Sequence, residues 1–175
     1  MPLVRADPWS RHRGIVVVLL LYLALAITYS VVSPLFEVSD EMWHYPFVRH
    51  LADGGGLPVQ DPANLGPWRQ EGSQPPLYYA LGALVSAFVD TGDADDLLWR
   101  NPHSDIGLPT EDGNINMVVH TEREAFPWSG TALAVHLVRF LSVALGAVTV
   151  LATYLAGWEI TGGDRTVAVL SLIHI

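Results

Sequence analysis

Two stretches of this chain lack charge and polar alternation, and everything between them is broken up. From Gly14 to Pro34 no side chain is charged, and a run of about 20 apolar residues matches the hydrocarbon thickness of a bilayer. A second run, 131–158, is uncharged from Phe140 to Gly157. Between them, 37–127 alternates Pro/Gly clusters with two short amphipathic patterns. In the first, Trp43, Phe47 and Leu51 recur at i, i+4, i+8, which predicts a helix over about 39–53 with one apolar stripe. Ser39 is its expected cap, Pro46 its expected kink, and Gly54-Gly55-Gly56 its end. In the second, Leu77, Leu81, Leu84, Val85 and Phe88 predict a helix over about 76–89 opened by Pro75-Pro76. Both are too short to span, so they are predicted to lie at the interface. Trp43, Tyr78 and Tyr79 are the expected anchors at headgroup level.

The fold class expected is therefore an all-α integral membrane protein. It has a basic tail (1–13), a first transmembrane helix (14–34), a long outer loop (35–130) carrying the interfacial helices, and a second transmembrane helix (131–158). A cytoplasmic turn (159–165) and the start of a third span (166–175) complete it. The first run exceeds a signal-peptide core and has no small-residue cleavage site after it, which favours an uncleaved anchor. Ser142, Ala144, Gly146 and Ala147 predict close helix packing. The stretch 90–127, with Asp93, Asp95, Asp96, Pro102, Pro109, Gly113, Asn114 and Asn116, reads as an irregular solvated insertion. Leu170-Ser171-Leu172-Ile173-His174-Ile175 is what a common sequencing adapter would encode, so the natural reading frame is expected to continue past an artefactual tail.

Charge sharpens the orientation. Arg5, Arg11 and Arg13 precede the first run, placing the N-terminus in the cytoplasm of a multi-pass plasma-membrane protein. The region 37–127 holds fifteen Asp/Glu against four Arg and carries most of the net charge of −9. That excess excludes nucleic acid as a partner, because phosphate neutralisation needs clustered cations. The chain has no Cys and no Lys, so neither a disulfide framework nor a thiolate metal site exists.

Candidate chemistry centres on Asp40–Glu41, directly after the first span. Two acids at a helix start are commonplace through the helix dipole. A carboxylate at a membrane surface is also suited to deprotonate an acceptor hydroxyl, with its neighbour tuning it or holding a hard cation. The sequence leaves the divalent cation open. His44, one turn after Asp40, is either an amphipathic tip or a proton carrier. His50, His103, His120 and His136 lack paired zinc spacing, and Asp90–Asp96 lacks the Gly and Glu of a calcium loop, so no metal site is predicted. Arg139, near the outer end of the second run, either snorkels to headgroups or clamps a lipid phosphate.

These motifs come in a telling order. Phe36-Glu-Val-Ser-Asp-Glu-Met-Trp-His-Tyr45 follows the first span. Leu51-Ala-Asp-Gly-Gly-Gly-Leu-Pro-Val-Gln60 and Gln74-Pro-Pro-Leu-Tyr-Tyr-Ala-Leu-Gly-Ala83 come next, and then His136-Leu-Val-Arg-Phe-Leu-Ser-Val-Ala-Leu-Gly-Ala-Val-Thr-Val150. Over most of 14–160 the chain resembles the start of a polytopic C-type glycosyltransferase. The similarity is to the superfamily of protein O-mannosyltransferases and lipid A aminoarabinose transferases. The resemblance implies a polyprenyl-phosphate-linked sugar as donor, Asp40 as catalytic base and Glu41 in support. It also implies a cavity partly formed by the Pro-Pro-Leu segment and donor-phosphate or structural contacts for Arg139; His44, Gln74 and Tyr78 are the candidate substrate contacts beside it. Gln74 stands where His or Lys is frequent, and 90–127 is longer than in better-known members. The alternatives are a transporter or channel subunit, with the acids as an ion vestibule, and a secreted acidic domain on one anchor.

Overall fold

The computed structural model describes residues 12–104 and 115–174. Arg5, Arg11, Pro109, Gly113 and Asn114 lie outside the described residues. Among those described there is no strand, only one isolated bridge between Arg100 and Val118. The elements are α1 (Arg13–Val32), α2 (Glu41–Ala52), a 3₁₀ turn (Arg69–Ser73), α3 (Leu77–Ser86), the single turn α4 (Ala94–Leu97), a second 3₁₀ turn (Glu122–Glu124), α5 (Gly130–Ile160), α6 (Arg165–Leu170) and a closing 3₁₀ turn (Ser171–His174). Two of them, α1 with 20 residues and α5 with 31, are long and apolar enough to cross a membrane. At 1.5 Å per residue they measure about 30 and 46 Å.

The chain divides into two units, one of residues 30–141 and one of residues up to 29 together with 142 onward. In the latter, Ile15 of α1, Val150 and Tyr154 of α5 and Ala168 of α6 form a small core. The Tyr22 hydroxyl donates to the Val143 carbonyl at 3.1 Å. Gly146 permits this approach, because a Cβ there would overlap that hydroxyl. Asp164 caps α6, accepting from the amides of Thr166 and Val167.

The 30–141 unit is built around α2, and here the structure departs from the expectation of an interfacial helix. Trp43 is 9% exposed, and Phe47 and Val48 are 1% exposed. The apolar stripe is covered by protein, not left open to lipid. Pro46 sits inside α2 without ending it. Ser39 is not the cap: the helix begins one residue later than a Ser39 cap implies, with Asp40 at the cap position in a left-handed conformation and no side-chain cap bond. α3 packs on α2, and Gly82 makes the approach possible, with its Cβ position 3.0 Å from a Val48 methyl. Tyr79 thereby stacks on Phe47 at 3.9 Å between centroids and is core, not a headgroup anchor. Tyr78 remains on the open side, as do Leu77 and Leu84.

The acidic stretch 90–104 is less solvated than its composition predicts. Leu97 and Val118 are buried in the same core, and Ala94 is fully buried. The aspartates of the run act as tethers: Asp93 accepts from the Thr131 amide at 2.9 Å and its hydroxyl at 2.7 Å, holding the start of α5. Asp95 faces Arg49 at 3.5 Å, and Asp96 pairs with Arg123.

If Gly82 sets the α2–α3 spacing, Gly82→Leu forces overpacking, and the expected loss is about 1–3 kcal/mol of stability. Gly82→Ala combined with Val48→Ala is expected to melt closer to the parent than Gly82→Ala alone, because the small residue is moved across the contact. Thermal unfolding followed by tryptophan fluorescence measures both.

Candidate functional site

The turn joining α1 to α2 reverses direction through two left-handed residues, Phe36 at φ 64° and Asp40 at φ 58°. For a bulky residue such as Phe this is unfavourable by about 1–3 kcal/mol unless its surroundings dictate it. Here they do. The Phe36 ring is fully buried, and its amide donates to Glu41 Oε2 at 2.8 Å. Glu41 in turn holds Arg139 in a two-point fork: Nε to Oε1 and Nη2 to Oε2, each at 2.6 Å. Arg139 Nη1 donates to the Ser30 and Ser33 carbonyls at 2.8 Å, and Nη2 to the Pro34 carbonyl at 3.0 Å. A guanidinium has five N–H donors, and all five are committed within the protein.

That accounting separates the predicted site residues into two groups. Arg139, 8% exposed, has no donor left for a lipid phosphate, and Glu41 is its counter-ion. Both are structural ties, so the phosphate-clamp expectation for Arg139 and the supporting catalytic role for Glu41 are set aside. Asp40 points elsewhere. It is exposed, and its carboxylate has no hydrogen bond or ion pair among the described residues. Its carbonyl accepts from the amides of Trp43 and His44 at 2.8 and 2.9 Å.

His44 leads inward from Asp40. Its Nδ1 lies 2.7 Å from the Tyr79 hydroxyl and 3.6 Å from Glu71 Oε2. Glu71, 6% exposed, is steadied by Gln70 Nε2 at 3.0 Å. Burial, reinforced by the Glu71 carboxylate, pushes the Tyr79 hydroxyl up to about 12. Gln74 is exposed and follows the Arg69–Ser73 turn, with its amide bonded to the Glu71 carbonyl. Tyr78 meets Tyr79 edge-on at 5.5 Å.

Two residues that the pattern reading passed over belong to this surface. Arg69 lies 4.1 Å from the Trp43 ring centroid and Arg100 5.4 Å. Both are exposed, and neither guanidinium has a carboxylate partner among the described residues, although the chain carries twice as many acids as bases. Arg69 sits at φ 46°, a second left-handed residue bordering the same tryptophan. Trp43 thus links an unpaired carboxylate, through its backbone, with two acid-free cations on its ring. The one early signal was that Arg69 has no acid at i±3 or i±4. Among the described residues no group of three His, Asp or Glu side chains forms a metal-holding set. Where His120 lies between Glu124 (2.9 Å, at Nδ1) and Glu37 (3.0 Å, at Nε2), the carboxylates occupy opposite sides of the ring.

No known protein family, curated protein or solved structure matches the chain.

Removing one partner of the buried fork leaves the other charge unpaired, which typically costs about 3–5 kcal/mol. Arg139→Met and Glu41→Gln are each expected to lower thermal stability markedly, while the double variant loses less than the sum of the two. A double-mutant cycle on unfolding free energies checks this. A second expectation concerns the tyrosines. Burial raises Tyr45 to about 12 as well, so absorbance at 295 nm should show two of the six tyrosines ionising near 12 instead of 10. Because the folded state keeps these protons longer, their contribution to stability is complete below 10. It declines as pH rises from 10 through 12.

Proposed function

We propose that this chain belongs to an integral membrane glycosyltransferase that moves a sugar from a polyprenyl-phosphate donor to an acceptor hydroxyl at the outer face of the plasma membrane. The observation that carries the reading is the exposed, unpaired carboxylate of Asp40, held in a left-handed turn that follows a membrane-length helix, three residues before the tryptophan on whose ring Arg69 and Arg100 lie. A base needs a free carboxylate, and a departing phosphate needs cations not already neutralised. Both are present on one short segment and its neighbours.

The membrane part of the proposal draws on α1. Leu20, Leu21, Leu25 and Val32 are 58–72% exposed, and a contiguous apolar face of this kind is atypical of a water-facing helix. With α1 and α5 in lipid and the N-terminal arginines in the cytoplasm, Asp40 lies outside.

In the proposed reaction the acceptor oxygen attacks the anomeric carbon as Asp40 takes its proton. The bond from that carbon to the phosphate oxygen breaks, with the electron pair leaving on the phosphate. Arg69 and Arg100 then stabilise the departing anion, the role first expected of Arg139. His44, fixed by Tyr79, borders the same first turn as a substrate contact.

Asp40→Asn is the clean test, since Asn accepts left-handed backbone as readily as Asp and removes only the base. The intact protein carrying Asp40→Asn is expected to keep its helicity and lose transfer from a radiolabelled polyprenyl-phosphate sugar by 10²-fold or more. Arg69→Gln and Arg100→Gln are expected to weaken donor use by about tenfold each, or about 1.4 kcal/mol. Full turnover by Asp40→Asn would assign the base elsewhere, and residue 40 labelled from the cytosolic side would end the reading.

A further inference from the structure

A cleft in the 30–141 unit is lined by neither Asp40 nor the two arginines on Trp43. It has a volume of about 380 Å³ and opens beside the C-terminal end of α1, a size within the range typical of small-ligand sites. Val31, Val32, Pro34 and Leu35 form its apolar side. His120 and Glu124 also line it, but their polar atoms are already used. Both Glu124 oxygens lie within 3.0 Å of His120 Nδ1, and Oε2 also accepts the Leu35 amide at 3.2 Å.

His136, on α5, is different. It is 3% exposed and lines the cleft, with Trp128 stacked on its ring at 3.6 Å and 14° between planes. Nδ1 lies 2.7 Å from the Ala132 carbonyl, and a carbonyl only accepts, so Nδ1 carries the ring proton. Nε2 is then a lone-pair acceptor, and it is buried with no hydrogen-bond partner among the described residues. A buried orphan of this kind is destabilising by about 1–3 kcal/mol, which a donor arriving there would offset.

The chemistry of that donor is narrow. Water is held best by several polar partners, and apart from His120 and Glu124 this cleft offers the His136 acceptor and the Ser33 hydroxyl beside an apolar wall. An anionic head meets a lone pair and the Glu124 carboxylate. A neutral hydroxyl needs one acceptor, and an alkyl chain attached to it suits the valine and proline side. Val31 and Val32 are also the last residues of a membrane-length helix, where an alcohol resident in a bilayer keeps its hydroxyl.

We propose that this cleft binds the hydroxyl head of a long-chain membrane alcohol, the hydroxyl donating to His136 Nε2 and the first carbons of the chain lying against Val31, Val32, Pro34 and Leu35. The source of the alcohol rests on the membrane reading of α1; the hydroxyl recognition does not.

The experiment uses the intact protein in dodecyl maltoside micelles with hexadecanol bearing a diazirine near its head. The matched fatty acid and matched hydrocarbon serve as controls, and adducts are mapped by peptide mass spectrometry. The alcohol is expected to label peptides covering 31–35 and 120–136 at least fivefold more than either control. His136→Phe keeps an aromatic ring against Trp128 but removes the acceptor, and should reduce alcohol labelling to the hydrocarbon level. His136→Gln, which retains an acceptor, should recover part of it. Ala125→Trp, at the exposed rim of the cleft, should block labelling without touching His136, and it decides the matter if His136→Phe misfolds by circular dichroism. Equal labelling by hydrocarbon, stronger labelling by the acid, or undiminished labelling in Ala125→Trp would each overturn the proposal. Flotation with phosphatidylcholine vesicles reports separately on the membrane reading, so a soluble chain that still selects the alcohol refutes only that reading.

Discussion

The guanidinium of Arg139 is the joint on which the 30–141 unit turns. Helix α1 ends at Val32, and the last carbonyls of any helix lack intrahelical donors. Three carbonyls around that end, from Ser30, Ser33 and Pro34, receive N–H groups from Arg139. The remaining two donors take both oxygens of Glu41, the first residue of α2, where a carboxylate also complements the positive end of the helix dipole. One side chain on α5 therefore finishes one helix and starts another. A buried charge is tolerated at this level of exposure only when fully paired, and full pairing is what the geometry supplies. The left-handed residues Phe36 and Asp40 follow from it, since the short connection must bring Glu41 back to the guanidinium.

This tie explains which acid of the adjacent pair is free. Glu41 points inward and is spent on structure, so Asp40, one residue earlier and on the other side of a left-handed turn, is left outward and unpaired. Adjacent acids on a regular helix would differ only by the 100° between successive residues. Here the reversal at Asp40 divides them between core and surface. The same logic sorts the cations. Arg49, Arg123 and Arg139 have carboxylate partners, whereas Arg69 and Arg100 share Trp43. In a segment so rich in acid, two guanidiniums held on an aromatic face instead of a carboxylate are the exception, and cation–π contact leaves their N–H edges available for an anion.

The long helices and the short amphipathic ones could be read from spacing because their period is local: α1, α2, α3 and α5 lie where apolar runs and 3.6-residue stripes occur. What covers each stripe is not local information. The Trp43–Phe47–Leu51 stripe has the same period whether it meets lipid or protein, and the choice was made by α3 and by Leu97 and Val118, which come from a stretch whose composition looks solvated. Ser39 before two acids is a standard helix-start pattern, yet the cap position moved to Asp40 because Glu41 was claimed by a residue 98 positions away. Arg139 offered the same ambiguity: snorkelling and phosphate binding both assume free donors, and only the folded backbone of 30–34 reveals that none remain.

The orphaned His136 nitrogen belongs to the same class of information. Nothing in His136-Leu137-Val138-Arg139 distinguishes a core histidine from a recognising one. Its ring is oriented by a carbonyl one turn earlier and by Trp128, and that orientation leaves Nε2 without a donor. Three residues further along α5, Arg139 is saturated. Neighbouring side chains on one helix thus show opposite outcomes of folding, one with every donor used and one with its single acceptor unused. Saturation removes a residue from the list of ligand contacts however suggestive its charge; an unfilled buried position adds one however ordinary its surroundings.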